Sequence, residues 1–257
     1  MRMVDDAAPR SPVKTAQTTL RIVEALKEHD GATVTEIADA LDLSKSSAHN
    51  YLRTLEHEGY VVKDDRQYRV GLRFLDLGAH ARTREELYTV AKPELESIAE
   101  RTGEHANLLV EEHGLGVFLL RAQGENAVGV NSHVGQCVPL HTTALGKSIL
   151  AHLPAERRDD IFERHELDAK TAATITDRET LEAELAEVRE SGVAYDREEG
   201  VRGLKCVAVP VLSDDGVLGA VSVSGPTSRM GDERIETELL PQLRDAVNVI
   251  ELNRAYS

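Results

Sequence analysis

The chain has 257 residues, 41% of them hydrophobic and 29% charged, which predicts a globular protein long enough for two domains and excludes a disordered one. No apolar run reaches the roughly 18 residues of a membrane span. The start, MRMVDDAAPRSP, has no apolar core for a signal peptide, and Cys137 and Cys206 are too few for a disulfide scaffold, so a cytoplasmic protein is expected. The net charge of −15 is unevenly placed: residues 1–75 carry 11 Lys or Arg against 12 Asp or Glu, and residues 76–257 carry 19 against 33. The excess acid therefore lies away from the N-terminal segment, where it would otherwise oppose contact with phosphates.

In chain order, Val13, Ala16, Leu20, Val23 and Leu26 recur at helical spacing and predict a first helix that ends near Asp30-Gly31. Thr33, with Glu36 three residues on, has the form of a capping box and opens a short second helix with Ile37, Ala38 and Leu41 inward. After the turn Asp42-Leu43, Ser44 caps a third helix that runs towards Gly59, with Ala48, Leu52 and Leu55 inward. Tyr60–Lys63 and Gln67–Val70 flank Asp64-Asp65-Arg66 and predict a small hairpin, a wing. From Leu72 to about Arg101 the helical pattern returns, with Leu72, Leu75, Leu77, Leu87, Val90, Leu95 and Ile98 as apolar positions and Pro93 as an interruption.

Strands are expected at His105–Val110, Val117–Ala122, Val128–His133, Lys205–Leu212 and Val217–Ser224, the last two joined by a hairpin turn at Asp214-Asp215-Gly216. Helices are expected at Thr143–His152, Ala155–Arg164, Thr180–Glu190 and Asp232–Leu252. The fold class is α+β, an antiparallel sheet partly covered by helices behind a helical N-terminal module.

Three helices and a hairpin within about 60 residues match the layout of a winged helix-turn-helix, whose second motif helix enters the major groove. The outward face of the third helix carries Lys45, Ser46, Ser47, Asn50, Arg53 and Thr54, with Tyr51 beside them. Asn50 suits adenine, and Arg53 suits guanine or a phosphate. The helix start at Ser44, Lys45 and Ser46 presents free N–H groups to a phosphate. Arg66, Tyr68 and Arg69 on the wing, with Arg10 and Lys14 upstream, are placed to reach the flanking backbone. The alternative is that these are ordinary solvated faces of a small helical bundle.

The stretches TVTEIADALDLSKSSAHNYLRTLEHEGYV and QYRVGLRFLDLG, then PLHTTALGKSILA, GVAYDREEGVRGLKCVAVPV and AVSVSGP, resemble the IclR-type regulators. That resemblance implies a winged helix-turn-helix over residues 1–75, a dimerising linker helix over 76–102 and a GAF-like effector-binding domain over 103–257. It also implies double-stranded operator DNA and a small organic acid or sugar-derived metabolite as partners, with a homodimer or tetramer as the assembly. Its pocket falls here on the amides of Ala144 and Leu145, on Asp196, on Leu204, and on Cys206, Ser222 and Ser224. Ser222 and Ser224, two apart, share one sheet face. The Thr-Thr-Ala-Leu loop differs from relatives with smaller residues there and leaves ligand size open. No cofactor is expected. The cations are mostly Arg, with 8 Lys in all, and together with the excess acid this resembles proteins of salt-loving organisms.

Two readings from other classes stay open. His133, Cys137 and His141, spaced by four, could combine with Cys206 around zinc in a metal-sensing regulator, although Gly135 and Pro139 break a helix there. Cys206 or Cys137 could be a nucleophile with His141 as base in a Cys-dependent enzyme, although no catalytic motif accompanies them. Cys206 also suits a small buried hydrophobe.

Overall fold

The computed structural model describes residues 13–129 and 132–256. These form two compact units, one ending at Ala81 and one beginning at Arg82, so the division falls inside the stretch expected to be a linker.

In the first unit α1 (Lys14–Glu28), α2 (Val34–Ala40) and α3 (Lys45–His57) precede the hairpin β1 (Val61–Asp64) and β2 (Gln67–Val70) and the start of α4 (Arg73–Thr83). The capping box at α2 is present, with Thr33 accepting from the Glu36 amide and Glu36 accepting from the Thr33 amide at 2.7 Å. Ser44 caps α3 by accepting from the Ser47 amide at 3.1 Å. Ala32 and Tyr68 exchange both backbone hydrogen bonds, so the chain before α2 adds a third short strand segment to the wing. The core gathers Ile22, Leu26, Ile37, Leu52, Val61 and Tyr68.

Two apolar faces depart from expectation. In α1 the buried residues are Ile22, Ala25 and Leu26, whereas Val13, Ala16 and Leu20 are exposed, because the core meets only the second half of the helix. In α4 no residue is buried, and Leu72 before it and Leu75 within it are 84% and 69% exposed. The expected long helix is broken at Arg84-Glu85, not at Pro93. Pro93 sits on the solvent side of α5 (Glu86–Thr102), where water can satisfy the carbonyl of Thr89 that loses its donor.

The second unit is built on a six-stranded, wholly antiparallel sheet in the order β5-β4-β3-β8-β7-β6. Its strands are β3 (His105–Glu112), β4 (Leu115–Gln123), β5 (Cys137–Pro139), β6 (Ala194–Arg197), β7 (Leu204–Ser213) and β8 (Gly216–Pro226). One face packs α5 and α10 (Leu240–Ala255) over Leu108, Leu120, Val207, Val209, Val221 and Val223. The other packs α6 (Ala144–His152), α7 (Ala155–Arg164) and α8 (Arg178–Ser191) over Leu109, Ala194, Ala208 and Ala220. The small residues at these sheet positions let α6 approach closely.

The strand expected at Val128–His133 is not formed at residues 128, 129, 132 and 133, and Val130 and Asn131 lie outside the described residues. Its place at the sheet edge is taken by β5, and β6, whose four residues carry no alternation, was not expected. The C-terminal helical run begins at α9 (Asp232–Arg234) and passes through a π-turn at Ile235–Leu239 before α10, just ahead of Pro241, which lacks the N–H that a regular turn would use. Among the described residues no helix is long and apolar enough to cross a membrane.

Candidate DNA interface and effector site

On α3 the exposed side chains are Lys45, Ser46, His49, Asn50, Arg53 and Thr54, with Glu56 and His57 in the last turn. Three of the expected contacts already have local partners. Ser44 Oγ donates to Ser47 Oγ at 2.9 Å, and Thr54 Oγ1 donates to the Asn50 carbonyl at 2.9 Å. Tyr51 is half-buried against the unit's core. This leaves Lys45, Ser46, Asn50 and Arg53 as the unengaged part of the expected reading face, beside His49, an exposed residue one position before Asn50 that helical spacing did not single out. Arg66 and Arg69 project from the wing and Lys14 from the first turn of α1, while Arg10 lies outside the described residues.

Tyr68 corrects its expectation. Only 2% exposed, it belongs to the core, because on β2 it alternates inward between the exposed Gln67 and Arg69. Lys63, opposite it on β1, lies over its ring at 5.3 Å and is an exposed wing cation that was passed over.

In the second unit the strand register brings the expected effector residues together. Asp196 faces Cys206 and Cys206 faces Ser224, while Ser222 pairs with Asn107 and Ala208. Leu204, two residues before Cys206, shares its face. All stand on the side covered by α6, whose first residues, Ala144 and Leu145, are buried. Thr143 caps α6 by accepting from the Gly146 amide at 2.9 Å, so the amides of Ala144 and Leu145 remain the first two donors outside the helical ladder. The Asp196 carboxylate accepts from the amides of Glu199 at 2.7 Å and Gly200 at 3.4 Å. Burial lifts its pKa to about 6, with the Glu199 charge adding to the rise and the two amides and Lys147 opposing it. Glu198, in the turn after Asp196, has φ of 68°, a left-handed conformation that a non-glycine residue adopts at some cost.

Sequence reasoning missed two members of this face. Asn107 donates to Ser222 Oγ at 3.2 Å and Ser224 Oγ at 3.1 Å, and Arg121 Nε donates to Asn107 Oδ1 at 3.0 Å. A polar residue inside the apolar runs HANLLV and VFLLRA was the available signal.

The candidate metal ligands are not brought together. Cys137 is on edge strand β5 and Cys206 on β7, with three strands between them, roughly 19 Å at the usual strand spacing. His141 is buried with Nε2 3.1 Å from the Asp168 carbonyl. No group of three His, Cys, Asp or Glu among the described residues could hold a metal ion. Nor does Cys206 suit a nucleophile, because desolvation and the Asp196 charge push its thiol pKa up, away from the thiolate.

Residues 15–65 match the model of the IclR helix-turn-helix domain, and residues 79–252 match that of the bacterial transcriptional regulator IclR C-terminal domain. The chain belongs to the IclR family. It is 33% identical over 238 residues to the "Probable HTH-type transcriptional regulator ArcR" of Halobacterium salinarum, covering 91% of this chain and 90% of that one. It is 31% identical to the HTH-type transcriptional regulator KdgR of Escherichia coli, again over 91% and 90%. Among solved structures it is similar to the Thermotoga maritima IclR, with a TM-score of 0.75, 32% identity and coverage of 93% and 98%. It is also similar to an IclR homologue of Microbacterium hydrocarbonoxydans complexed with 4-hydroxybenzoate, with a TM-score of 0.77, 27% identity and coverage of 93% and 100%. The IclR-family protein described here is therefore a DNA-binding transcriptional regulator with a C-terminal effector domain, not an enzyme. The Halobacterium relative agrees with the acid-rich, lysine-poor composition in supporting a salt-loving source.

Proposed function

We propose that this regulator binds operator DNA in the cytoplasm as a homodimer and that a small organic acid or sugar-derived metabolite, held in the second unit, shifts the relative placement of the two reading heads. Residues 1–75 act as the reading module, 76–102 as the dimerising linker and 103–257 as the effector module. Lys45, Ser46, Asn50 and Arg53 face the major groove, and Lys14, Arg66 and Arg69 face the phosphates. The exposed Leu20, Leu72, Leu75 and Leu77 support dimerisation, since they are large apolar side chains without a partner in their own unit.

The observation that carries the effector reading is the polar row Asp196, Cys206, Ser224 on the sheet face covered by α6, continued by Ser222 on β8 and Asn107 on β3. The complex of the Microbacterium relative with 4-hydroxybenzoate supports a small-molecule effector. A ligand acts through its differential affinity for two arrangements, typically about 1–3 kcal/mol, or roughly 5- to 150-fold in DNA affinity. The test is Asp196→Ala in full-length protein. Loss of metabolite binding by calorimetry is expected, and undiminished binding would place the pocket elsewhere.

A further inference from the structure

We propose that Arg121 is the residue that holds the effector's acid group and so discriminates an acid from its neutral counterpart. The inference rests on the pocket reading above and assigns one residue to the ligand's charged group.

Arg121 reaches the effector face because of a β-bulge. The β3–β4 register shifts between Leu108 and Leu109, so that Leu109 pairs with Phe118 while Leu108 pairs with Leu120. Leu119 and Leu120 consequently both enter the core on the α5 side, and the alternation resumes out of step. Phe118 and Arg121, three apart, thus share the α6 side, with the guanidinium 5.7 Å from the Phe118 ring centre. In an unbroken strand Arg121 would point to the opposite face. Bulges that re-aim one side chain are common beside functional sites.

Once there, the guanidinium is half-buried and short of partners. Nε is used by Asn107, and Nη1 donates to the carbonyl and hydroxyl of Ser132. Nη2 donates to nothing, and no carboxylate lies within 4.0 Å of the group, among the described residues. Arg157, Arg158 and Arg234 and the buried Lys147 each have a Glu partner in this unit. In a chain with 45 acidic residues against 30 Lys and Arg, a partly buried cation left without an acid is an unfilled anion position. The unengaged N–H groups of Nη2 suit a carboxylate oxygen in a charge-assisted hydrogen bond. Asn107 links it to Ser222 and Ser224, and His105, opposite Ser224, keeps Nδ1 buried without a partner among the described residues. The amides of Ala144 and Leu145 and the Asp196 carboxyl remain for the ligand's other oxygen functions.

Calorimetry of the full-length protein with matched probes tests this: lactate against lactamide, 4-hydroxybenzoate against 4-hydroxybenzamide, and gluconate against glucose. At least one acid is expected to bind more tightly than its neutral counterpart. Arg121→Gln should weaken that acid on the order of 10- to 100-fold and erase the preference, while Arg121→Lys, which keeps the charge, should retain part of both. Equal binding of acid and neutral probe, or binding by none of the acids, overturns the proposal. If Asp196→Asn weakens the acid and Arg121→Gln does not, the pocket reading stands and the Arg121 assignment falls. If neither variant matters, the pocket reading itself fails.

Discussion

Lys147 and Glu199 form an ion pair inside the second unit, with both carboxylate oxygens 2.7 Å from a lysine side chain that is wholly buried. The amide of the same Glu199 donates to Asp196, and Glu184 of α8 is a second partner of the ammonium. One lysine on α6 thus ties α8 and the β6–β7 turn together and holds the amide that orients Asp196. Thr171 and Thr174 reinforce that turn, each donating to a backbone carbonyl of residues 198–199 at 2.7 Å.

Replacing Lys147 by Met leaves two carboxylates facing a buried apolar chain. A loss of about 3 kcal/mol in the stability of the second unit is expected, since breaking a buried pair strands its charge. Urea unfolding followed by far-UV circular dichroism reads this directly. Lys147→Met combined with Glu199→Gln should recover part of the loss, because the more buried of the two stranded charges is then removed. An unchanged midpoint in the single variant would show the pair to be dispensable.

Asp196 gives a pH dependence of definite sign. Its folded pKa of about 6 exceeds the ordinary 3.8, so between about pH 4 and 6 the folded state holds a proton that the unfolded state has lost. Stability therefore falls as pH rises through that window, by at most about 3 kcal/mol from one end to the other. Asp196→Asn should remove that slope. The comparison is the difference between wild type and variant across pH 4–7, and a constant difference would contradict the raised pKa.

Glu104 acts in the opposite sense. It is buried, and although desolvation alone would raise its pKa, the fork of Arg229 at 2.7 Å and the Arg234 guanidinium at 3.0 Å hold it below the usual range. Its contribution is present above the unfolded pKa and is lost as pH falls through the lowered folded value. Glu104→Gln should cost about 2 kcal/mol at neutral pH, discounted for the partly exposed Arg229, and should flatten the acid limb below about pH 4. Denaturant midpoints at pH 3 and 7 in both proteins check it.

Local chemistry made much of the fold legible. The capping box at Thr33, the cap at Ser44 and the Asp214-Asp215-Gly216 turn all stand where residue type placed them, because caps and tight turns depend on a few adjacent atoms. Long-range geometry was hidden. The break at Arg84-Glu85 carries no glycine or proline, whereas Pro93, which does look like a breaker, rides on a solvated helix face. Asp196, Cys206, Ser222 and Ser224, which the strand register sets on one face, were singled out only through family resemblance. Arg121 was not, because a bulge inverts the parity on which a strand reading depends.

The same distinction separates two residues of the first unit. Tyr68→Ala should destabilise that unit by about 3 kcal/mol through lost core volume. Asn50→Ala, on an exposed helix face, should leave stability within about 0.5 kcal/mol of wild type yet lower operator affinity by about 1–3 kcal/mol. Thermal unfolding paired with fluorescence anisotropy on specific and random duplexes separates the two. An equal loss on both duplexes for Asn50→Ala would reassign it to a phosphate contact.

The most direct test is a mobility-shift titration of the full-length protein at near-native salt, on the DNA upstream of its own gene and of neighbouring genes, with and without the small acids that bind the second unit. The account predicts a saturable, sequence-specific shift whose midpoint an acid changes roughly 5- to 150-fold. A specific shift that no bound acid alters would contradict the coupling of the two units.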